Sequence, residues 1–391
     1  MKHSFSSFFC LLLAVPQVTA QLDEIPFEIK DDIIFLDVFI NDNDKASTFV
    51  FDTGAAIDLL DENVARELGL EPDYKQEVPG AGGTKVYDIV LNQSLRLGKQ
   101  SEISGTHLLL TDLARLREKV EKDFDGIVGY SFLRGFVTRI DYEHKKLIRY
   151  KTIDELDLSG YVPVSFQFYG GISIPQFDID ITLTNGSTYS GRVFFDSGAA
   201  YSLIVNTPYN ETNKLIQQAE KRLVLETENL STKSVSQQMA IRSMNLGGIE
   251  IGEMPIAIAN DTEGVSSYEG YLGILGAEVI SRFDVILDYS NSKLYLKPNG
   301  RFDQPFEFPL SGLTLKKVQD KVIVQQVQES SPAFRKGIRK GDIVLSVNKD
   351  SSGDLTIYRE LLKEEGKTCG LEVMAADGSR RKVSVKLERL L

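Results

Sequence analysis

The chain carries one hexapeptide twice, FDTGAA at residues 51–56 and FDSGAA at residues 195–200. Each copy closes a β-branched and aromatic run, TFVF at 48–51 and VFF at 193–195. Such a run favours a strand, and the small residues after it favour a tight turn, so each Asp is expected at the tip of a turn. A single Asp-Thr-Gly carries little weight, since a chain of ordinary composition shows one at roughly the ten per cent level. Two copies in the same setting imply a duplicated unit. Two carboxylates on matching turns then imply one two-fold site with a shared proton.

The duplication reaches far beyond the hexapeptides. Ile127-Val128-Gly129 corresponds to Ile274-Leu275-Gly276, Asp141-Tyr142 to Asp288-Tyr289 and Lys146-Leu147 to Lys293-Leu294, each pair 147 residues apart; Asp52 and Asp196 are 144 apart. Leu97-Gly98 and Leu246-Gly247 match between these landmarks. Each copy also opens on a hairpin pattern. In the first, residues 33–40 and 47–51 flank an Asn-Asp turn, which lacks the spaced ligands and closing Glu of a calcium loop. In the second, residues 177–184 and 191–195 flank Asn185-Gly186. Helices are expected near 112–121 and near 207–222, the latter with Thr207 as cap and Pro208 in its first turn. The body reads as mostly β in two lobes, residues 21–155 and 156–300.

The N-terminus reads as a signal peptide over residues 1–20. Lys2 and His3 precede an apolar stretch at 5–15, and Val18-Thr19-Ala20 has the spacing of a cleavage site; a retained anchor is the alternative. That stretch is short of the about 20 residues a membrane span needs, so no stable span is expected. A cut after Ala20 removes Cys10 and leaves Cys369 without a partner. An exported chain without disulfides fits the periplasm or envelope of a bacterium, or secretion. His107, His144 and Cys369 have no ligand spacing, so neither a metal nor another cofactor is expected.

The length predicts two or three domains. The net charge of −12 is uneven: residues 311–391 hold 16 Lys+Arg and 11 Asp+Glu, or +5, against −17 elsewhere. An acidic body argues against nucleic acid as a partner. The basic C-terminal part reads as solvated surface or as a face for an acidic partner.

Asp-Thr/Ser-Gly-Ala after an apolar strand, followed much later by an apolar-apolar-Gly segment, resembles the lobes of retropepsins and pepsins. The resemblance to aspartic peptidases covers about residues 26–299 and both lobes. It implies two pseudo-symmetric β-barrel lobes in one chain, with Asp52 and Asp196 as the catalytic pair. Two carboxylates about 3 Å apart cannot both ionise cheaply, so they share a proton and titrate as a unit. One takes a proton from a water while the other donates to the peptide carbonyl, without a covalent intermediate. Thr53 and Ser197 fit a role bonding across the lobe interface. Gly54 and Gly198 permit the sharp turn and leave amides near the carboxylates. Ile127-Val128 and Ile274-Leu275 are expected to pack beneath the turns, with Gly129 and Gly276 allowing close approach. Ala55 and Ala199 stand where pepsins have Ser or Thr. Loss of that donor to the charged form implies an optimum less acidic than pepsin's. Residues 79–84, PGAGGT, fit a flap with Gly80, Gly82 and Gly83 as its mobile points and Tyr87 touching substrate or lying in the core. The corresponding residues 234–236 lack glycine, so one mobile flap is expected rather than two.

Residues 301–310 read as a linker, and the pattern then changes. Val322-Ile323-Val324 and Val327 read as strand, Ser331 caps a short helix opened by Pro332, and Ile343, Leu345 and Val347 alternate. An amphipathic helix is expected at 354–364 and a last strand around Val383, Val385 and Leu387. SPAFRKGIRKGDIVLSVN at 331–348 resembles the PDZ domains appended to bacterial envelope proteases, which gives an α+β PDZ domain at 311–391. The resemblance implies that a peptide C-terminus or internal segment adds as a strand, its carboxylate held by Gly312, Leu313, Thr314 and Leu315. The whole reads as an aspartic endopeptidase acting on a protein or peptide, with the PDZ domain docking or gating substrate. The alternative is a catalytically silent peptide-binding scaffold of the envelope.

Overall fold

Alternation along the strands sorts the first lobe into an inside and an outside. Ile34, Leu36, Val38 and Ile40 of strand Ile33–Ile40 point to one core with Phe49 and Phe51, while Ile33, Phe35 and Val50 point to a second cluster on the other face. The computed structural model describes residues 21–80, 83–228 and 233–391; the expected signal peptide and Gly82 lie outside these. Strand outweighs helix by 46% to 14%, so the fold is mostly β.

Each lobe closes six strands into a barrel. In the first, Ile33–Ile40, Ser47–Phe51, Gly126–Val128, Asp58–Asp61, Glu102–Thr111 and Gly83–Arg96 follow one another, and Ile40 opposite Leu95 closes the ring. In the second, Gln176–Leu183, Thr188–Phe195, Gly273–Leu275, Leu203–Val205, Met254–Ile258 and Lys233–Leu246 repeat the order, closed by Ile181 opposite Met244. Closure removes the free edges that a small open sheet would expose.

The lobes are joined by a six-stranded antiparallel sheet that takes three strands from each side. Its order is Gln21–Pro26, Lys146–Tyr150, Val137–Asp141, Phe283–Asp288, Lys293–Pro298, Val162–Ser165. At its centre Arg139 pairs with Ile286, its own counterpart at the 147-residue offset. The pseudo-two-fold axis therefore runs through that pair. One apolar core continues from barrel to barrel through this sheet, including Ile140, Leu147, Val285, Leu287 and Leu294.

The helices are shorter than their sequence patterns. The first covers Ala114–Val120 and ends where Glu121 turns left-handed at φ 54. The second covers only Thr207–Asn213, with Asn206 rather than Thr207 in the cap position. Lys214 then turns left-handed, and Gln218 donates back to the Asn213 and Lys214 carbonyls, which ends the helix early.

Residues 301–310 do not behave as a free tether. Arg282 lies 3.6 Å over the ring of buried Phe306 and donates to the carbonyls of Arg301 and Phe302, which straps the segment to the second lobe. The C-terminal unit is a five-stranded antiparallel sheet, Leu313–Val318, Lys321–Val327, Ile343–Val347, Thr368–Met374 and Arg380–Lys386 in that order. Ser331 accepts from the Phe334 amide at 3.2 Å and caps Pro332–Arg335. Asp354 caps Leu355–Leu361. The alternation expected of Ile343, Leu345 and Val347 is broken: Val344 and Val347 are buried, because a bulge between Val344 and Ser346 switches the face.

Candidate active site

Both hexapeptide turns follow from the strands beside them. The Asp52 amide donates to the Val128 carbonyl at 2.9 Å, and the Asp196 amide to the Leu275 carbonyl at 3.0 Å. Tyr130 N donates to Ala55 O at 2.9 Å and Ala277 N to Ala199 O at 2.8 Å, so each turn is tied down at its far end as well. Side chains at Gly129 or Gly276 would strike the backbone of these turns, at Asp52 and Tyr201 respectively, which explains the glycine in each segment. Val128 and Leu275 pack in the core, whereas Ile127 and Ile274 line the cleft; alternation puts one member of each pair on each face, so only one lies beneath the turn.

The turns meet tip to tip across the two-fold axis. Gly54 N donates to Asp52 Oδ1 at 2.6 Å, and Gly198 N donates to Asp196 Oδ1 at 2.9 Å. A Cβ on Gly54 would collide with the Asp196 carboxylate, and one on Gly198 with that of Asp52. The two carboxylates therefore face each other over their glycines. Behind them, Thr53 Oγ1 donates to Phe195 O at 2.8 Å and accepts from Ser197 N at 2.9 Å. Ser197 Oγ accepts from Thr53 N at 3.0 Å and reaches Phe51 O at 3.4 Å. Both residues are almost fully buried, at 1% and 0% exposure, so this exchange fixes the tips without help from solvent.

The electrostatics follow from enclosure. Each Asp keeps an edge on the cleft while its carboxyl is enclosed by protein, and burial raises the pKa of both. Asp196 is pushed well up, because the Asp52 charge acts on it in addition to burial. Hydrogen bonds from Gly54 and Gly198 pull Asp52 the other way without cancelling the rise.

A cavity of about 250 Å³ opens over the pair. Its walls are mainly apolar, with Ile33, Val50, Phe124 and Ile127 from the first lobe and Ile204 and Ile274 from the second. The cavity is small beside the roughly 300–1,000 Å³ of ordinary ligand pockets.

Of the glycine-rich segment, Gly80 and Gly83 end the paired strands Tyr74–Gly80 and Gly83–Arg96, with Gly83 at φ 144. Tyr87 sits on the second strand, but its side chain is core, 4% exposed among Ala55, Ile89 and Leu109. Burial raises its phenol pKa. The second lobe has an equivalent hairpin, Leu223–Glu228 with Lys233–Leu246, whose Ser236 lines the cleft. Both lobes therefore carry a hairpin at this position, the second without a glycine cluster.

Asp58 escaped the sequence reading. It is buried at 1% exposure, accepting from Gly129 N at 3.1 Å, Thr106 Oγ1 at 2.9 Å and the Ser131 hydroxyl. Burial raises its pKa. It braces the segment that carries Gly129 and hence the Asp52 turn. A charged residue inside the apolar run Ile57–Leu60 was the available signal. In the C-terminal unit, Gly312 has φ 76 and lies against Ser331, and Leu313 N is held by Ser311 Oγ at 3.1 Å. Thr314 is exposed and Leu315 buried on the edge strand that follows.

Residues 36–132 match the family model described as aspartyl protease, and residues 309–387 match that of the PDZ domain. No curated protein matches the chain. The chain therefore carries an aspartyl protease domain and a C-terminal PDZ domain on a mostly β framework. The first match contains Asp52; Asp196 lies outside it and is related to Asp52 by the duplicated fold.

Proposed function

We propose that this protein is an aspartic endopeptidase with two retropepsin-like lobes in one chain, Asp52 and Asp196 as its catalytic pair and a PDZ domain that docks or gates peptide. The observation that carries the reading is the reciprocal arrangement of the tips, each glycine packed against the opposite carboxylate. The two carboxyls hold one proton between them, because burial and mutual repulsion oppose a second charge. The ionised oxygen accepts a proton from a water in the cleft. The protonated carboxyl donates to the carbonyl oxygen of the scissile bond as water oxygen bonds to its carbon. As the resulting diol collapses, one of its hydroxyls returns a proton to the ionised carboxylate, the C–N bond breaks, and the leaving nitrogen takes the proton of the other carboxyl. The Thr53–Ser197 exchange holds both tips still during these transfers. The apolar walls favour substrates with apolar side chains next to the cut bond. The proposed setting is the periplasm or envelope of a bacterium, or secretion, reached through the signal peptide at 1–20.

The test is cleavage of a diverse peptide library by residues 21–391 from roughly pH 4 to 8, beside Asp52→Asn. Cleavage by the wild type and not by the variant is the expected result. Equal cleavage by both removes Asp52 from the chemistry. Tight binding of library peptides with no turnover by either favours the silent scaffold.

A further inference from the structure

We propose that Arg359 is a latch through which a peptide bound to the PDZ domain opens the catalytic cleft. The proposal rests on the peptidase reading above and adds its regulation.

The PDZ domain sits against both lobes. Arg359, on helix Leu355–Leu361, forms a two-pronged ion pair with Glu121 of the first lobe, Nη1 to Oε2 at 2.9 Å and Nη2 to Oε1 at 2.8 Å. On the second lobe, Gln326 and Gln328 donate to the Val224 carbonyl at 2.6 and 2.5 Å, and Arg389 pairs with Glu253 at 2.7 Å.

The same Arg359 Nη2 also donates to the Leu315 carbonyl at 3.0 Å. Strand Leu313–Val318 stands at the end of its sheet, and among the described residues its outer edge carries no strand. A peptide that adds to this edge needs the outward-facing carbonyls as acceptors. Leu315 O is one of them, and it lies at the end of the Gly312–Leu315 segment. An added strand and Arg359 thus compete for one oxygen. When the strand wins, the guanidinium loses the bond that aims it at Glu121.

Glu121 caps the C-terminus of the cleft-wall helix. That helix, Ala114–Val120, contributes Leu116, Lys119 and Val120 to the cavity over the Asp pair. Glu121 turns left-handed at φ 54, ψ 36 and so ends the helix. Here Arg359 holds its carboxylate, and Lys30 Nζ donates to its carbonyl at 2.5 Å. Lys119, two residues earlier, lies 5.5 Å from the ring centre of Tyr201 on the second lobe. These two side chains line both the catalytic cavity and the space beside Arg359, so they form the wall between the two. With the latch engaged the cavity over the Asp pair is about 250 Å³, and this wall narrows it. Releasing Glu121 frees the helix end and lets Lys119 leave Tyr201.

The test uses residues 21–391 with Glu121→Gln and Arg359→Met, one variant on each side of the latch, and the double variant. The substrate is a fluorogenic peptide taken from the library cuts. The effector is a mixture of decapeptides with randomised last four residues and free carboxylates. A half-exposed ion pair predicts a roughly two- to fivefold rise in basal kcat/KM for either single variant. The double variant should match the singles, and the effector should stimulate only the wild type. Hydrogen exchange of residues 114–121 should speed up in both variants, and in the wild type with effector. Cleavage with unchanged basal rates, additive effects, or unchanged exchange overturns the latch. No cleavage by any protein, but faster exchange on latch release, overturns the peptidase reading and leaves the latch standing. No cleavage with unchanged exchange overturns both.

Discussion

Thr53→Val removes one hydroxyl from the exchange behind the two Asp tips and keeps the shape of the side chain. Two bonds vanish, Thr53 Oγ1 to Phe195 O at 2.8 Å and Ser197 N to Thr53 Oγ1 at 2.9 Å. Each is worth about 1 kcal/mol net, and the buried Ser197 N–H and Phe195 C=O left behind raise the total to about 2–4 kcal/mol. Solvent cannot rescue them, since Ser197 is fully buried. Ser197→Ala should cost less, because one of its two bonds is long at 3.4 Å and contributes little. The chain has three packed units, so global melting does not isolate this contact. Amide hydrogen exchange of residues 51–56 and 195–200 does, because it reads local opening. At about 1.4 kcal/mol per decade, Thr53→Val should speed exchange there roughly 30- to 700-fold. Ser197→Ala should fall below it, and the double variant should show less than the sum, because the two hydroxyls serve one network. A change under about threefold in Thr53→Val would show that the lobes are held elsewhere and that the exchange is incidental.

Three further outcomes follow from the same geometry. Gly198→Ala places a methyl group against the Asp52 carboxylate; the backbone tolerates it, but the carboxylate must swing off Gly54 N. We expect kcat/KM to fall about a hundredfold with little change in thermal stability, and near-normal turnover would contradict the tip-to-tip packing. The raised pKa of both Asp carboxyls places the singly protonated form above the ordinary 3.8, so a kcat/KM pH profile should lose activity on acidification from above that value. An optimum near pH 2, about where pepsin's first carboxyl titrates, would refute it. Glu278, enclosed near Asp32 and Glu307, has its pKa raised from 4.5 to about 7. A raised carboxyl stabilises the fold below its unfolded value and loses that contribution as pH rises through the folded one. Melting of Glu278→Gln should therefore track the wild type near pH 4.5 and exceed it above pH 7, and a constant difference across that window would rule Glu278 out as the cause.

The sequence by itself determined the duplication and the residue types that meet at the two turns. Strand and turn at each Asp are local consequences of short runs of residue types, and their repetition fixes two matching units. The Thr/Ser-Gly pair was legible for the same reason, since its partners lie at equivalent positions of the other copy. The lone Ser331-Pro332 cap and the Asp354 helix start were likewise local. Tertiary structure decided what depends on which face meets which neighbour. Tyr87 turns into the core because alternation along a barrel strand sends it inward. Ile127 and Ile274 line the cleft for the same reason, and the second lobe has its hairpin without a glycine cluster. Asp58 is a brace only because the fold brings Gly129, Thr106 and Ser131 to it from 48 to 73 residues away. Arg359 reaches Glu121 across 238 residues, a pairing that no local pattern encodes, because it joins the PDZ domain to the first lobe.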